Sequence, residues 1–420
     1  MEVIIHRGAK QIGGSCVEIR TDRTRLIIDV GEELPDIAEP NKASSRLHVD
    51  DLFNDSKTTE RPIDAVFISH NHGDHIGLYQ NLKENIPIYI GKTAAEIQNT
   101  ICDFTVGNKK ISIDHLLEDR APIFINELTI TPFAVDHSAF DAYAFLIDGE
   151  GKKILYTGDF RQHGMNQDET KILMSLPEVR NPNLLLMEGT NIRSPHIHAI
   201  EEEEIGERAQ KFMEKTKGNV FVLMSSANID RIHQVYRAAQ QTKRLFIYDI
   251  FTAHILSKLP GEPFNPRIHK DIQVLYPIWL TQAMFKIKGK EYLMYKYRWQ
   301  RIKKDHLKTR KDLCIMVREN MLDDITIRMN MEEAGLIYSK WEGYKKSPKT
   351  KRFMDFIKTK GLADESIHTS GHADVSALQE FVGKIQPKKI VPIHTETPKK
   401  YRELFGEIVE VVGDGEVIGV

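Results

Sequence analysis

Cysteine is scarce. Three occur in 420 residues, Cys16, Cys102 and Cys314, far apart and with no C-x-x-C pair. Such usage excludes a disulfide framework and a thiolate zinc site, and points to a reduced, intracellular setting. Long hydrophobic runs are missing too: no stretch approaches the roughly 18 consecutive apolar residues that a membrane-spanning helix needs. The opening MEVIIHRGAK enters a strand-like run without the basic-then-apolar pattern of a secretory leader, so a cytoplasmic location with no membrane partner is expected. Neither sign of charge is in excess. The 58 basic and 60 acidic residues leave a net charge of −2, which removes a global attraction to nucleic acid but leaves local patches open. Low-complexity tracts and solenoid-type repeats are absent, and with 41% apolar and 28% charged residues the composition is that of a folded soluble protein.

At this length, two domains, or one domain carrying a large insertion, are expected. Strand-like runs alternate with turn signals in EVIIH, GGSCVEIR and TRLIIDVG. The polar stretch from Glu32 to Pro62 reads as a long loop with one short helix at DDLFN. A buried strand in IDAVFISHNHGDH is followed by a helix in IGLYQNLKEN, then by strands at IPIYIG, LTITPFAVDH, AYAFLIDG, KKILYTGDF and LLLMEGT. After Thr190 the texture becomes β-α-β, as expected of a doubly wound unit with a strand at DLCIMV. The acidic cluster Glu201 to Glu204 is read first as a complement to a helix N-terminus. The chain then returns to its earlier style with SIHTSGHADVSALQEFV, KKIVPIHTE, EIVEVVG and EVIGV. Since the late histidines look like partners of the early ones, residues 192–365 are expected to be inserted into a domain formed by 1–191 and 366–420.

The chemistry concentrates in SHNHGDHIG, where His70, His72, Asp74 and His75 fall within six positions directly after an apolar run. His70 and His72 can reach one metal while Asp74 and His75 reach a second. Imidazole and carboxylate are the ligands zinc accepts where thiolates are lacking. A single histidine would more often be a satisfied core or surface residue, but four such groups on one turn are different. His137 in AVDHSAF, Asp159 in YTGDFR and His394 in VPIHTE each follow an apolar run as well. An aspartate between two cations can bridge both, which suits Asp159. Two cations about 3.5–4 Å apart activate a water and hold the oxygens of a displacement reaction.

SHNHGDHIG, DHSAF, TGDFR and IIDVG together resemble the metallo-β-lactamase fold of binuclear zinc hydrolases. LLMEGTN, TSGHADV and VPIHTE, spaced around the inserted unit, are similar to motifs A, B and C of the β-CASP nucleases. That group includes ribonuclease J, the endonuclease subunit of the eukaryotic pre-mRNA cleavage and polyadenylation factor, and the Artemis-type DNA nucleases. The resemblance covers nearly the whole chain. It implies an α/β protein: a metallo-β-lactamase αββα sandwich with an inserted β-CASP doubly wound α/β domain. One zinc would be held by His70, His72 and His137 and a second by Asp74, His75 and His394, with Asp159 bridging and manganese as the alternative metal. Asp74 would also orient the attacking hydroxide. Glu188 of motif A would support His372 of motif B, which would stabilise or protonate oxygens of the scissile phosphate.

The implied activity is hydrolysis of single-stranded RNA by metal-activated hydroxide, in exonucleolytic or endonucleolytic mode. Histidine at the motif C position, His394, is associated with RNA-active members and valine with the DNA nucleases. A DNA-directed nuclease, a hydrolase of a small substrate and a non-catalytic RNA-binding scaffold are the alternatives. Charge logic agrees, because a carboxylate such as Glu188 beside His372 favours the imidazolium. His368, Ser370 and Gly371 are candidate phosphate contacts. Ser225, in SSANIDR, lies where part of a 5′-phosphate pocket would be. A homodimer is a further expectation.

One more segment stands out. Between Lys286 and Lys311, eleven basic residues face two acids, Glu291 and Asp305, and are interleaved with Tyr292, Tyr295, Tyr297 and Trp299. Such a run tracks single-stranded nucleic acid without sequence preference, or else it is a solvated helical face whose rings pack inward.

Overall fold

The computed structural model describes residues 1–36, 45–59, 61–193 and 198–420. Three sheets organise them. The first has seven strands in the order Val417–Gly419, Glu2–Arg7, Cys16–Arg20, Arg25–Ile28, Ala65–Phe67, Ile88–Gly91 and His115–Leu117. The second has six, in the order Ile390–Ile393, Leu184–Glu188, Lys152–Tyr156, Ala142–Gly149, Leu128–Val135 and Ile123–Ile125. Their inner faces meet in one apolar layer, where Val17, Ile19, Leu26, Ile28 and Phe67 oppose Ile130, Phe145, Ile147, Tyr156 and Leu186. Phe67 and Phe145 touch edge to face with centroids 5.8 Å apart, closing this core directly beneath the histidine turn. Each fully buried side chain of this kind contributes about 1.5–3 kcal/mol. Outside the first sheet, Ile27, Val66 and Ile90 pack with Ala94, Ala95 and Cys102 of the helix Lys92–Asp103. Outside the second, the helices Gln167–Ser175 and Val375–Ile385 supply Leu173, Met174, Leu378 and Phe381. The result is the αββα sandwich.

The third sheet lies between residues 220 and 366. Its six strands run in the order Ile272–Leu275, Leu245–Asp249, Leu313–Val317, Val220–Leu223, Gly335–Tyr338 and Ala363–Ser366, and every pairing is parallel. Its central strands are buried along their whole length, as β-α-β connections covering both faces require. Helices Glu202–Lys215 and Ile229–Gln241 pack on one side, Leu322–Arg328 and Pro348–Thr359 on the other.

Strand register explains how these units share one site. Leu184–Glu188 pairs in parallel with both Lys152–Tyr156 and Ile390–Ile393, with Glu188 opposite Ile393. The carboxyl ends of all three strands therefore open on one edge, bringing Asp159, Glu188 and His394 together although the third sheet separates the last two in sequence. Arg25–Ile28 and Ala65–Phe67 are likewise parallel, which places Asp29 beside the histidine turn. Strand carboxyl ends in α/β sheets are where ligand sites form.

Some local expectations are corrected. DDLFN is a turn with a single bridge from Phe53 to Leu82, because Asp51 has a left-handed backbone (φ 66°) and caps Thr59 instead of continuing a helix. The rest of the polar loop is described apart from residues 37–44 and 60, which lie outside the described residues. IGLYQNLKEN breaks into the end of a four-residue helix, Gly73–Ile76, and a 3-10 turn, Tyr79–Asn81, since Gly77 is pinned against Glu32. EIVEVVG makes only one bridge, from Val409 to Ile390, at the sheet's edge.

Candidate metal centre

The turn after Ala65–Phe67 is fixed by one buried carboxylate. Asp29, whose own backbone is left-handed (φ 61°), accepts from Ser69 N at 2.7 Å through Oδ1. Its Oδ2 accepts from Ser69 Oγ at 2.8 Å and Tyr156 OH at 2.7 Å, and meets His75 Nδ1 at 2.8 Å. That contact orients the imidazole so that Nε2 points at Asp159 Oδ2, 3.1 Å away. Such outer carboxylates fix the tautomer and aim of a metal-ligating histidine. Gly31 lets the chain pass: a Cβ there would overlap the Asp74 carbonyl.

Around this turn the structure brings together all seven residues expected as ligands. His70, His72 and His137 offer ring nitrogens that lie within 4.8 Å of one another, and so do the donor atoms of Asp74, His75 and His394. Asp159 stands between the two groups: Oδ2 is 3.8 Å from His70 Nε2, and Oδ1 is 3.7 Å from His394 Nδ1. His72 Nδ1 and His137 Nε2 are 3.2 Å apart, as are His394 Nε2 and Asp74 Oδ2.

The donor set fits divalent cations. Among the described residues, His70 Nε2, His137 Nδ1 and Asp159 Oδ1 are buried without any hydrogen-bond partner. Three such orphans in one place are costly unless something else satisfies them. Nitrogen and oxygen donors without thiolate suit zinc, and manganese as well. Burial, reinforced by neighbouring histidines, pushes the pKa of His70 and His137 well below the usual imidazole range, so both rings are held neutral as ligands must be. Burial opposes charge on Asp159 too, yet the surrounding histidines hold its carboxyl well below the usual range.

Beside the ligands sits a second constellation. His372 Nδ1 is 3.6 Å from both Asp159 Oδ2 and Glu188 Oε1, and although burial opposes its charge, these two carboxylates raise its pKa to about 9. Glu188 is fully buried. It accepts from Ala373 N at 3.1 Å and Thr190 N at 2.9 Å, which locks it to the His372 loop. Sequence reasoning assigned nothing to the two residues that follow in this strand-end turn. Thr190 Oγ1 contacts His394 Nδ1 at 2.9 Å and His372 Nδ1 at 3.2 Å, and Asn191 Nδ2 donates to Ser370 Oγ and to the carbonyls of His372 and Ala373. The signal available was their adjacency to Glu188.

The candidate phosphate contacts fall differently. Gly371 packs against Ser138 and His137, where a Cβ would not fit. Ser370 Oγ accepts from Asn191 and from His372 N, so it shapes the loop. His368 faces Arg231 Nη1 at 3.5 Å, and burial lowers its pKa to about 3. Ser225 is exposed and caps Ala227 N, but the bridge from Asn228 to Ala139 brings its loop beside His137.

A buried ionic network joins the inserted unit to the centre. Arg161, two residues after Asp159, donates to Asp136 at 3.2 Å, Glu202 at 3.0 Å, Asp230 at 2.5 Å and the Ser370 carbonyl at 3.3 Å. Glu202 also accepts two hydrogen bonds from Arg231, at 2.9 and 3.0 Å. The first acid of the Glu202–Lys215 helix is thus a buried cross-link, whereas Glu203 and Glu204 are exposed and complement the helix end as expected.

Comparison with known proteins bears on the fold and its class. Residues 34–224 match the β-lactamase superfamily domain, and residues 363–407 match a Zn-dependent metallo-hydrolase RNA specificity domain. Ribonuclease J 2 of Streptococcus pyogenes is 22% identical over 98% of this chain and 72% of its own length. These matches support a β-CASP metallo-β-lactamase-fold protein related to the ribonuclease J family. Other members of the ribonuclease J family match over shorter spans. Ribonuclease J of Mycobacterium tuberculosis is 27% identical over 55% of this chain and 41% of the relative, and an RNase J-like protein of Methanocaldococcus jannaschii is 32% identical over 37% and 36%. The chain therefore spans less than half the length of these two relatives. A crystal structure of a protein of unknown function from Enterococcus faecalis shares the fold over 99% of both chains, with a TM-score of 0.80 and 24% identity. The matched domains and the donor set are those of a metal-dependent hydrolase.

Proposed function

We propose that this protein is a ribonuclease that uses two zinc ions, or manganese in their place, to hydrolyse phosphodiester bonds in single-stranded RNA. The observation that supports this most is the pair of ligand groups sharing Asp159, set against an imidazole, His372, that two carboxylates hold protonated. His70, His72 and His137 would hold one cation and Asp74, His75 and His394 the other. When bound, such cations supply Lewis acidity toward a phosphoryl oxygen and lower the pKa of a water molecule. The chain does the rest. Asp74 orients the water, Asp29 aims His75, and His372 donates a hydrogen bond or a proton to the oxygen on which charge develops. Glu188 keeps that imidazole charged and, through Ala373 N, in place.

The inserted unit is tied to the centre through Arg161. RNA is favoured over DNA by His394 and by the match of residues 363–407 to the RNA specificity domain. No helix among the described residues is long and apolar enough to cross a membrane. A cytoplasmic location, a homodimeric state and the 192–365 domain boundary belong to the same proposal. The test is cleavage of matched single-stranded RNA and DNA oligonucleotides, with 5′-monophosphate or 5′-hydroxyl ends, by metal-loaded protein and its Asp74→Ala variant. RNA cuts that vanish in the variant are expected; cleavage of neither polymer overturns the reading.

A further inference from the structure

The basic, aromatic segment is not absorbed by the metal centre, and the structure decides between its two sequence readings. Of the four rings named from the sequence, only Tyr297 packs inward, at 1% exposure, while Trp299 is 81% exposed, Tyr292 56% and Tyr295 53%. Adding Trp279 and Phe285, five of the eight exposed large aromatic side chains among the described residues lie between residues 279 and 299. A chance scatter of surface rings would not gather so many in so short a stretch. Three of them form a patch: Tyr292 and Tyr295 share a face of their short helix at a spacing of three, and Tyr295 meets Phe285 with centroids 6.2 Å apart.

The charges around the rings are not matched by acids. None of the nine Lys and Arg residues between Lys286 and Lys308 makes an ion pair among the described residues. Of the two acids, Glu291 spends a carboxylate oxygen on Gly289 N at 2.9 Å. The Arg298 guanidinium lies 4.9 Å from the Trp299 ring, which leaves the ring's other face open. The segment is anchored rather than loose, since Lys290 Nζ donates to the carbonyls of Cys102 and Thr105, at 2.9 and 2.7 Å, at the end of a helix of the sandwich. Tyr297 supplies a second anchor between Arg267 and Lys296, with cation-to-centroid distances of 5.5 and 5.1 Å.

We propose that this surface, from Ile278 to Lys308, is an auxiliary site for single-stranded RNA, holding a stretch of substrate outside the metal centre by stacking bases on exposed rings and pairing phosphates with cations that have no carboxylate partner. It rests on the ribonuclease reading and extends it to long substrates. Base stacking on exposed rings, with a groove of free cations, is how unpaired nucleic acid is held without sequence preference. A protein partner is disfavoured by the lysine content, because lysine is depleted in protein interfaces. A duplex would hide its base faces from the rings.

The test is equilibrium binding of fluorescent single-stranded RNA in EDTA, where no cleavage occurs, with a short oligonucleotide that fills only the centre and a long one that also reaches the patch. Trp299→Ala and Tyr295→Ala are each expected to weaken binding of the long RNA about tenfold and to leave the short one unaffected. Lys286→Gln with Lys288→Gln and Lys303→Gln should reduce the log–log salt slope by about 0.7 for each phosphate no longer neutralised. With metal restored, KM for long RNA should rise in the variants while kcat is kept. Unchanged long-RNA affinity and salt slope, in variants with the wild-type unfolding midpoint, overturn the proposal. Loss of self-association or of binding to anionic vesicles without loss of RNA affinity overturns it as well and assigns the surface to those partners. If wild-type protein cleaves no RNA but the long-RNA difference holds, the ribonuclease reading fails and the binding site stands.

Discussion

Asp29→Asn removes one charge and leaves the volume of the side chain and the left-handed backbone almost untouched, since Asn tolerates that conformation as Asp does. Four groups currently converge on this carboxylate: Ser69 N, Ser69 Oγ, Tyr156 OH and His75 Nδ1. An amide offers one acceptor oxygen and two donors. Whichever way it turns, its NH2 faces at least one group that now donates, in a site with no exposure to water. An unsatisfied buried pair of this kind costs about 1–3 kcal/mol. The consequence for function is sharper. Asp29 raises the pKa of His75 alongside Asp159, against the effect of burial, and fixes which nitrogen faces the metal ligands. Loss of a comparable outer carboxylate lowers metal affinity by about 10–100-fold, or roughly 1.4–2.8 kcal/mol. The assay is competition for zinc with a chromophoric chelator, run beside chemical unfolding of the metal-free protein. Wild-type zinc affinity in a folded Asp29→Asn protein would refute the assignment of His75 as a ligand aimed by Asp29.

Three further outcomes are expected. His372→Gln should lower RNA cleavage by about 100-fold or more while zinc content is kept; loss of zinc in that variant would move His372 among the ligands. Gly31→Ala forces a Cβ into the Asp74 carbonyl and should displace the Gly73–Ile76 helix, so that metal binding and activity fall together; an active, zinc-replete variant would show that the close approach is dispensable. Acid should destabilise the fold in two stages, read from denaturation midpoints against pH. His254 is buried, which lowers its pKa from 6.5 to about 4, so its contribution is whole above about pH 6.5 and is lost as pH falls toward 4; His254→Gln should flatten that stage. Glu202 is opposed by burial but held at about 2 by Arg231 and Arg161, so its contribution, on the order of 3 kcal/mol, persists above about pH 4.5 and disappears toward pH 2.

Where chemistry repeats along the chain, the sequence is easy to read. His70, His72, Asp74 and His75 crowd one turn, and His137, Asp159 and His394 each end an apolar run, the last two brought to one edge by parallel strand pairing. Other parts depend on contacts that no local pattern announces. Asp29 is a single acid in IIDVG, and only strand pairing shows that it lies under His75. The Arg161 network needs partners 41 and 69 residues away, so Glu202 read as one of four helix-end acids until its burial separated it from Glu203 and Glu204. The helix expected in IGLYQNLKEN satisfied the apolar spacing but ignored Gly77, which packs against Glu32 and ends it early. The orientation of Tyr292, Tyr295 and Trp299 was undetermined for a similar reason: four aromatics among eleven cations read equally well inward or outward, and packing placed one inside and three outside.

The most direct measurement is the number of zinc or manganese ions bound per chain, by elemental analysis of metal-saturated protein and its Asp159→Ala variant. Two ions in the wild type and fewer than one retained in the variant are predicted, because Asp159 stands between both ligand groups. A single ion in the wild type, or two retained without Asp159, would contradict a bridged pair of cations at this site.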